Sequence, residues 1–113
     1  MKAPAPAPVP EVAIVLTTEA SDDLARSLAR QLVERRFAAC ASFRGLGSIY
    51  RWDGDIVEED EVQLTIKTSP ASVDGLVAAI TELHSYDVPE ILVLEARAAA
   101  SYAAWVLGEV GQP

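Results

Sequence analysis

Residues 47–67 read Gly47-Ser-Ile-Tyr50-Arg-Trp52-Asp53-Gly54-Asp55-Ile-Val-Glu-Glu-Asp60-Glu61-Val62-Gln63-Leu64-Thr65-Ile66-Lys67. At the centre, Asp53-Gly54 is a strong hairpin-turn signal flanked by extended sequence. After the turn, Val62, Leu64 and Ile66 alternate with Glu61, Gln63, Thr65 and Lys67. Such alternation predicts a strand with one buried face and one wet face. Before the turn, an extended stretch runs from about Ala38 to Trp52, and Gly45 and Gly47 break its alternation as a bulge or bend would.

Upstream, Val12-Ala-Ile-Val-Leu16 is a continuous, β-branched apolar run. It predicts a central strand covered by helices on at least one face and ended by Thr17 and Thr18. Ser21 is placed as an N-cap, with Asp22 and Asp23 in the first turn facing the positive helix end. Leu24, Leu28 and Leu32, beside Ala25, Ala29 and Val33, make one apolar stripe, and Arg35 and Arg36 are expected in the last turn. Downstream, Ser69-Pro70 opens a second helix with Val73, Leu76, Val77, Ile80, Leu83 and His84 on one face. Residues 85–90 form a loop held extended by Pro89, residues 91–94 a short strand, and Ser101 caps a last short helix reaching about Gly108.

The order is β, α, β-hairpin, α, β and a short α. It predicts an α+β, ferredoxin-like βαββαβ sandwich with a long β-hairpin and a short C-terminal helix. Two helices should cover one face of a four-stranded antiparallel sheet. The hairpin looks too long for the short outer strands and would leave edges unpaired. A closed oligomer covers such edges.

With 113 residues, half of them apolar, the chain suits one domain. Residues 1–10, Met-Lys-Ala-Pro-Ala-Pro-Ala-Pro-Val-Pro, lack the apolar stretch of a secretory signal and read as an extended tail. The domain is expected over 11–113. Net charge is −8, and Arg35, Arg36, Arg44 and Arg51 are scattered, so nucleic acid is not an expected partner. No apolar run approaches the roughly 20 residues that span a bilayer. Cys40 is alone, which rules out an intrachain disulfide and fits a reducing compartment. A cytoplasmic location is the simplest expectation.

Five segments then occur in a specific order: Phe37-Ala-Ala-Cys40-Ala, Gly47-Ser-Ile-Tyr-Arg-Trp52-Asp-Gly54, Ile66-Lys-Thr68, Leu83-His-Ser-Tyr-Asp-Val-Pro-Glu-Ile91, and Tyr102 to Trp105. In this order and spacing the chain resembles the CutA divalent-cation-tolerance family over roughly residues 11–107. The resemblance implies a ferredoxin-like homotrimer joined through the long hairpin, and a link to tolerance of copper and other divalent metal ions. Ser85 stands where the family usually has Pro and is expected to loosen the loop carrying Tyr86 and Glu90. Asp87 replaces the usual Glu, Ser69-Pro70-Ala71 replaces a more basic helix start, and the apolar tail after Trp105 is shorter.

Two sets of residues carry the functional expectations. For metal, the candidates are His84, Cys40 and Glu90, with Asp87 near. One His and one Cys cannot close a four-ligand N/S site, so carboxylates or a neighbouring subunit would have to complete it. Cu(II) or another divalent cation is the expected ion, with no organic cofactor. For a ligand cleft between subunits, the candidates are Tyr50, Trp52, Lys67, Tyr86 and Glu90. Lys67 would meet an anion and the aromatics a ring, as in a small-molecule-sensing trimer. The acidic cluster Asp53, Asp55, Glu58, Glu59, Asp60 and Glu61 reads as a solvated turn that keeps the hairpin soluble. The chain has no phosphate loop, nucleophile elbow or zinc-protease helix, and the junction Thr17 to Ser21 holds neither Gly nor Arg. Catalysis is not expected.

Overall fold

A computed structural model of the chain describes residues 11–111; the expected tail, residues 1–10, lies outside them. The elements follow the predicted order. They are β1 (Glu11–Glu19), α1 (Asp22–Glu34), β2 (Cys40–Trp52), β3 (Asp55–Thr68), a 3-10 turn (Pro70–Ser72), α2 (Val73–Leu83), β4 (Leu92–Arg97) and α3 (Ala100–Glu109). The four strands form one antiparallel sheet in the order β2-β3-β1-β4. This is the expected α+β arrangement.

Strand parity assigns the two faces of the sheet. Val15 pairs with Ile66, Thr17 with Leu64 and Glu19 with Val62, so these side chains share one face. On that face α1 and α2 close the main core. Ala25, Leu28, Ala29 and Leu32 of α1 and Leu76, Ala79 and Ile80 of α2 pack on Val15, Leu64 and Ile66. Each fully buried Leu or Ile contributes roughly 1.5–3 kcal/mol by leaving water. On the opposite face α3 packs Ala103, Val106 and Val110 against Val12 and Ala39. Beyond α3 that face stays open: Leu92 and Leu94 are exposed, as are Tyr102, Trp105 and Leu107 on the helix itself.

Several local expectations are corrected. β1 does not end at Thr17 but runs to Glu19, because Leu64, Gln63 and Val62 of β3 are there to pair with it. Ser21 does cap α1, accepting from the Leu24 amide. Leu24, however, faces water, and Ala25 takes its place in the stripe. Arg35 and Arg36 lie beyond the last turn. Arg36 has φ 61°, and the bonds Phe37 N–H to Leu32 O and Arg36 N–H to Val33 O close a Schellman motif around it. An Arg there costs about 1 kcal/mol or more. The conformation is held from the C-terminal end of α3 and the residues just after it: the Gly111 amide donates to Arg36 O, and the Arg36 guanidinium donates to Glu109 O. Ser101 is not a cap, since α3 begins one residue earlier with Ala99 at the N-cap position.

Gly45 and Gly47 cause no bulge. Register between β2 and β3 is constant from Cys40↔Lys67 to Trp52↔Asp55. The turn at Asp53 (φ 53°) and Gly54 (φ 85°) has positive φ at both central residues, as a type I′ hairpin requires. The outer part of this hairpin passes beyond the helices. Ile49, Ile56 and Trp52 there are 70%, 63% and 56% exposed.

Candidate functional site

Where the hairpin leaves the core, it meets the loop between α2 and β4. Tyr50 and Trp52 are two residues apart on β2 and share the face away from α1 and α2. Ser48 pairs with Glu59 and Leu46 with Glu61, so both glutamates point to this same face. The loop brings Ser85, Tyr86, Asp87 and Glu90 over them. Together these residues, with Thr18 of β1, line a cleft of about 660 Å3. No Lys, Arg or His is among its lining residues.

Hydroxyl groups organise the acids. Glu61 is 9% exposed and accepts from Ser48 Oγ at 2.9 Å and from Tyr86 Oη at 3.3 Å. The Tyr50 hydroxyl donates to Glu59. That bond, with burial adding to it, pushes the Tyr50 phenol up to about 12. The Tyr86 phenol is also pushed up to about 12, first by burial and then by the nearby charges of Glu61 and Glu59. Both phenols therefore stay protonated donors through neutral pH.

The loop is anchored from below. His84 has a side chain with no exposed surface. Its Nδ1 accepts from the Tyr86 amide at 2.9 Å, which leaves Nε2 to donate to Thr18 O, a tautomer assigned from this network. Glu19, buried at the end of β1, accepts from the Ala20 amide at 3.3 Å and from both the amide (3.2 Å) and the hydroxyl of Ser85. The expected loosening at Ser85 is thus reversed. A proline could give neither bond, whereas Ser85 ties the loop to β1.

Of the predicted cleft residues, Tyr50, Trp52, Tyr86 and Glu90 come together. Lys67 does not. It pairs with Cys40 at the far end of β3, and its ammonium donates to Ser42 Oγ at 3.0 Å and Thr65 O at 3.1 Å. Six residues of strand, roughly 20 Å, separate it from Glu61. The predicted metal set is also dispersed. Cys40 lies level with Ile14 through Lys67, while His84 bonds at Thr18, four residues or about 13 Å along β1. Both His84 nitrogens are engaged within the chain, and Glu90 lines the cleft. Among the described residues, no group of three or more His, Cys, Asp or Glu side chains is arranged to hold a metal ion. Sequence reasoning placed Glu59 and Glu61 in a solvated turn. The missed signal is parity, since both are in phase with Gln63 and Thr65 on the face that carries Tyr50.

Comparison with known proteins agrees with this architecture. Residues 13–109 match the model of the CutA1 divalent ion tolerance protein family. The chain is 41% identical over 100 residues to the divalent-cation tolerance protein CutA of Thermus thermophilus, covering 87% of this chain and 97% of that protein. It is 35% identical over 101 residues to the CutA of Pectobacterium atrosepticum, covering 88% and 92%. A crystal structure of CutA1 from Pyrococcus horikoshii superposes with a TM-score of 0.86 at 33% identity, over 88% of this chain and 99% of that one.

Proposed function

This chain belongs to the CutA1 divalent ion tolerance family, and we propose that it acts as a homotrimer that binds divalent metal ions, copper included, reversibly at the cleft beside the hairpin. The observation that carries this reading is a cleft lined by Glu59, Glu61, Asp87 and Glu90 with no basic side chain. Such a surface concentrates cations. Its donors are oxygens, which suit hard ions such as Mg(II) and Mn(II). Cu(II) remains the tightest binder at a given oxygen or nitrogen site by the Irving–Williams order.

One protomer offers no closed ligand set, so a firm site needs a second copy. The surface supports that assembly. β2 and β4 are both edge strands, and the open sheet face beside α3 presents Leu92, Leu94, Trp105 and Leu107 to solvent. Unpaired edges beside apolar surface favour a closed oligomer. An anionic ligand, expected from Lys67, would find no positive charge in the cleft. The family is named for divalent-cation tolerance, which is not the name of an enzyme activity.

Calorimetric titration with Cu(II), Mn(II) and Mg(II), together with solution mass, tests the reading. The expected mass is about three times the 12.1 kDa chain. Affinities should fall from Cu(II) to Mg(II), and should drop roughly tenfold or more in Glu59→Gln/Glu61→Gln. Metal binding indifferent to that double substitution would reject the cleft as its place, and a monomeric mass would reject the trimer.

A further inference from the structure

We propose that the same cleft is built to hold a compact organic ammonium ion, with its carbon substituents against Tyr50, Trp52 and Tyr86 and its positive charge toward Glu59 and Glu61. This inference rests on the cation-binding reading of the cleft and specifies a second ligand class for it.

Three observations converge on an organic cation. First, the cleft is about 660 Å3, the size of a small-molecule site and far larger than an ion with its first shell needs. Second, three aromatic side chains line it, and Tyr50 and Trp52 are 37% and 56% exposed in the single chain. Aromatic faces attract cations, Trp most strongly, and gain most from soft, weakly hydrated ones such as alkylated ammonium ions. A bare divalent metal makes no use of such rings, since it needs oxygen or nitrogen ligands.

Third, Glu61 is a nine-tenths buried acid whose two partners, Ser48 and Tyr86, are neutral hydroxyls. Glu59 lies two residues away on the same face and is served by the Tyr50 hydroxyl. Among the described residues, no lysine or arginine forms an ion pair with either. A buried carboxylate without a counter-charge is unfavourable, and a ligand cation removes that deficit. The hydroxyl donors orient the carboxylates without neutralising them. The Ser85–Glu19 and His84–Thr18 bonds fix the loop that supplies Tyr86, so this chain's wall of the cleft is in place before any ligand arrives.

The test compares tetramethylammonium with tert-butanol, a neutral molecule of similar shape. Nuclear magnetic resonance titration of the full chain would follow the amides of Tyr86 and Glu90. Tetramethylammonium is expected to bind roughly tenfold more tightly than the alcohol. Trp52→Ala and Glu61→Gln should each weaken it by roughly two- to thirty-fold, and Trp52→Phe, which keeps a ring, by less than Trp52→Ala. Equal affinity for the two probes, or binding indifferent to Trp52→Ala, overturns the proposal. Mn(II) run on the same variants separates this inference from the metal reading. Loss of Mn(II) binding in Glu61→Gln with no ammonium binding at all overturns the organic cation alone. Loss of ammonium binding with Mn(II) unaffected supports the organic cation and removes the metal from the cleft.

Discussion

Strands β2 and β3 pass through two environments without changing their register. At the root, Leu64 and Ile66 are fully enclosed under α1 and α2. Further out the same ladder continues, but Ile49 and Ile56 stand 70% and 63% exposed. The β2–β3 ladder is the same in the two halves, but at the root β3 also pairs with β1, from Ala13↔Thr68 to Glu19↔Val62, so the root has a second ladder as well as the helices. The root is held by burial and this second ladder; the outer ribbon is held by its turn and its one ladder. A two-stranded ribbon is marginal in water by itself. Its apolar side chains gain their stabilisation only against another surface, which the proposed trimer provides. The buried core and the proposed ligand cleft thus sit on the same two strands but at different distances from the helices.

The sharpest way to break this contrast is a matched pair of truncations read by urea unfolding. Leu64→Ala should cost about 2–5 kcal/mol by opening a cavity in the enclosed core. Ile56→Ala should cost less than about 0.5 kcal/mol in the dissociated chain. Equal costs would mean that the ribbon is as tightly packed as the root.

A smaller effect is expected at the turn. Gly54→Ala forces an L-residue to adopt φ 85°, with no neighbouring atom to clash, so the penalty is backbone strain of roughly 1–2 kcal/mol. Amide hydrogen exchange should quicken across residues 49–57 and stay unchanged at residues 62–68. A uniform change would show that the hairpin and the core open as one unit.

The weakest handle is pH. Neutral phenol is favoured in the fold at Tyr50 and Tyr86, both pushed from the ordinary value near 10 to about 12. Their contribution is complete below about pH 10 and is lost as pH rises toward 12, when each donor becomes an anion facing a glutamate. Tyrosinate absorbance should therefore rise late. Near-ultraviolet dichroism from the cleft should fade in that window before far-ultraviolet dichroism from the helices changes. Titration of both tyrosines at their ordinary value would remove these hydroxyls as supports of the cleft.

Much of this was legible in the sequence, because the signals were local and periodic. Asp53-Gly54 and the alternation through Ile66 located the hairpin, and Ser21 located the start of α1. What escaped depended on partners distant in sequence. Glu19 looks like a loop residue until Val62 is seen to pair with it and Ser85 to cover it. Arg36 gives no sign of a left-handed cap, since its hold comes from Glu109 at the end of the last helix and Gly111 just beyond it. Gly45 and Gly47 suggested a bend, but each faces open space, where a missing side chain leaves the ladder undisturbed. In the cleft, spacing by two grouped Tyr50 with Trp52. It could not separate Lys67 from them, because parity fixes the face of a sheet and says nothing of distance along it.

The unbroken register from Cys40↔Lys67 to Trp52↔Asp55 has one more consequence. It makes the ribbon a ruler with two readings, reach and handedness. Removing one cross-strand pair midway would draw the tip in by roughly 3.3 Å and turn every residue beyond the cut to the opposite side. Removing two would shorten it by about twice that and restore the original sides. Length in this ribbon therefore changes without scrambling only in even steps, so variants of different reach should fall on a ladder of whole two-residue rungs.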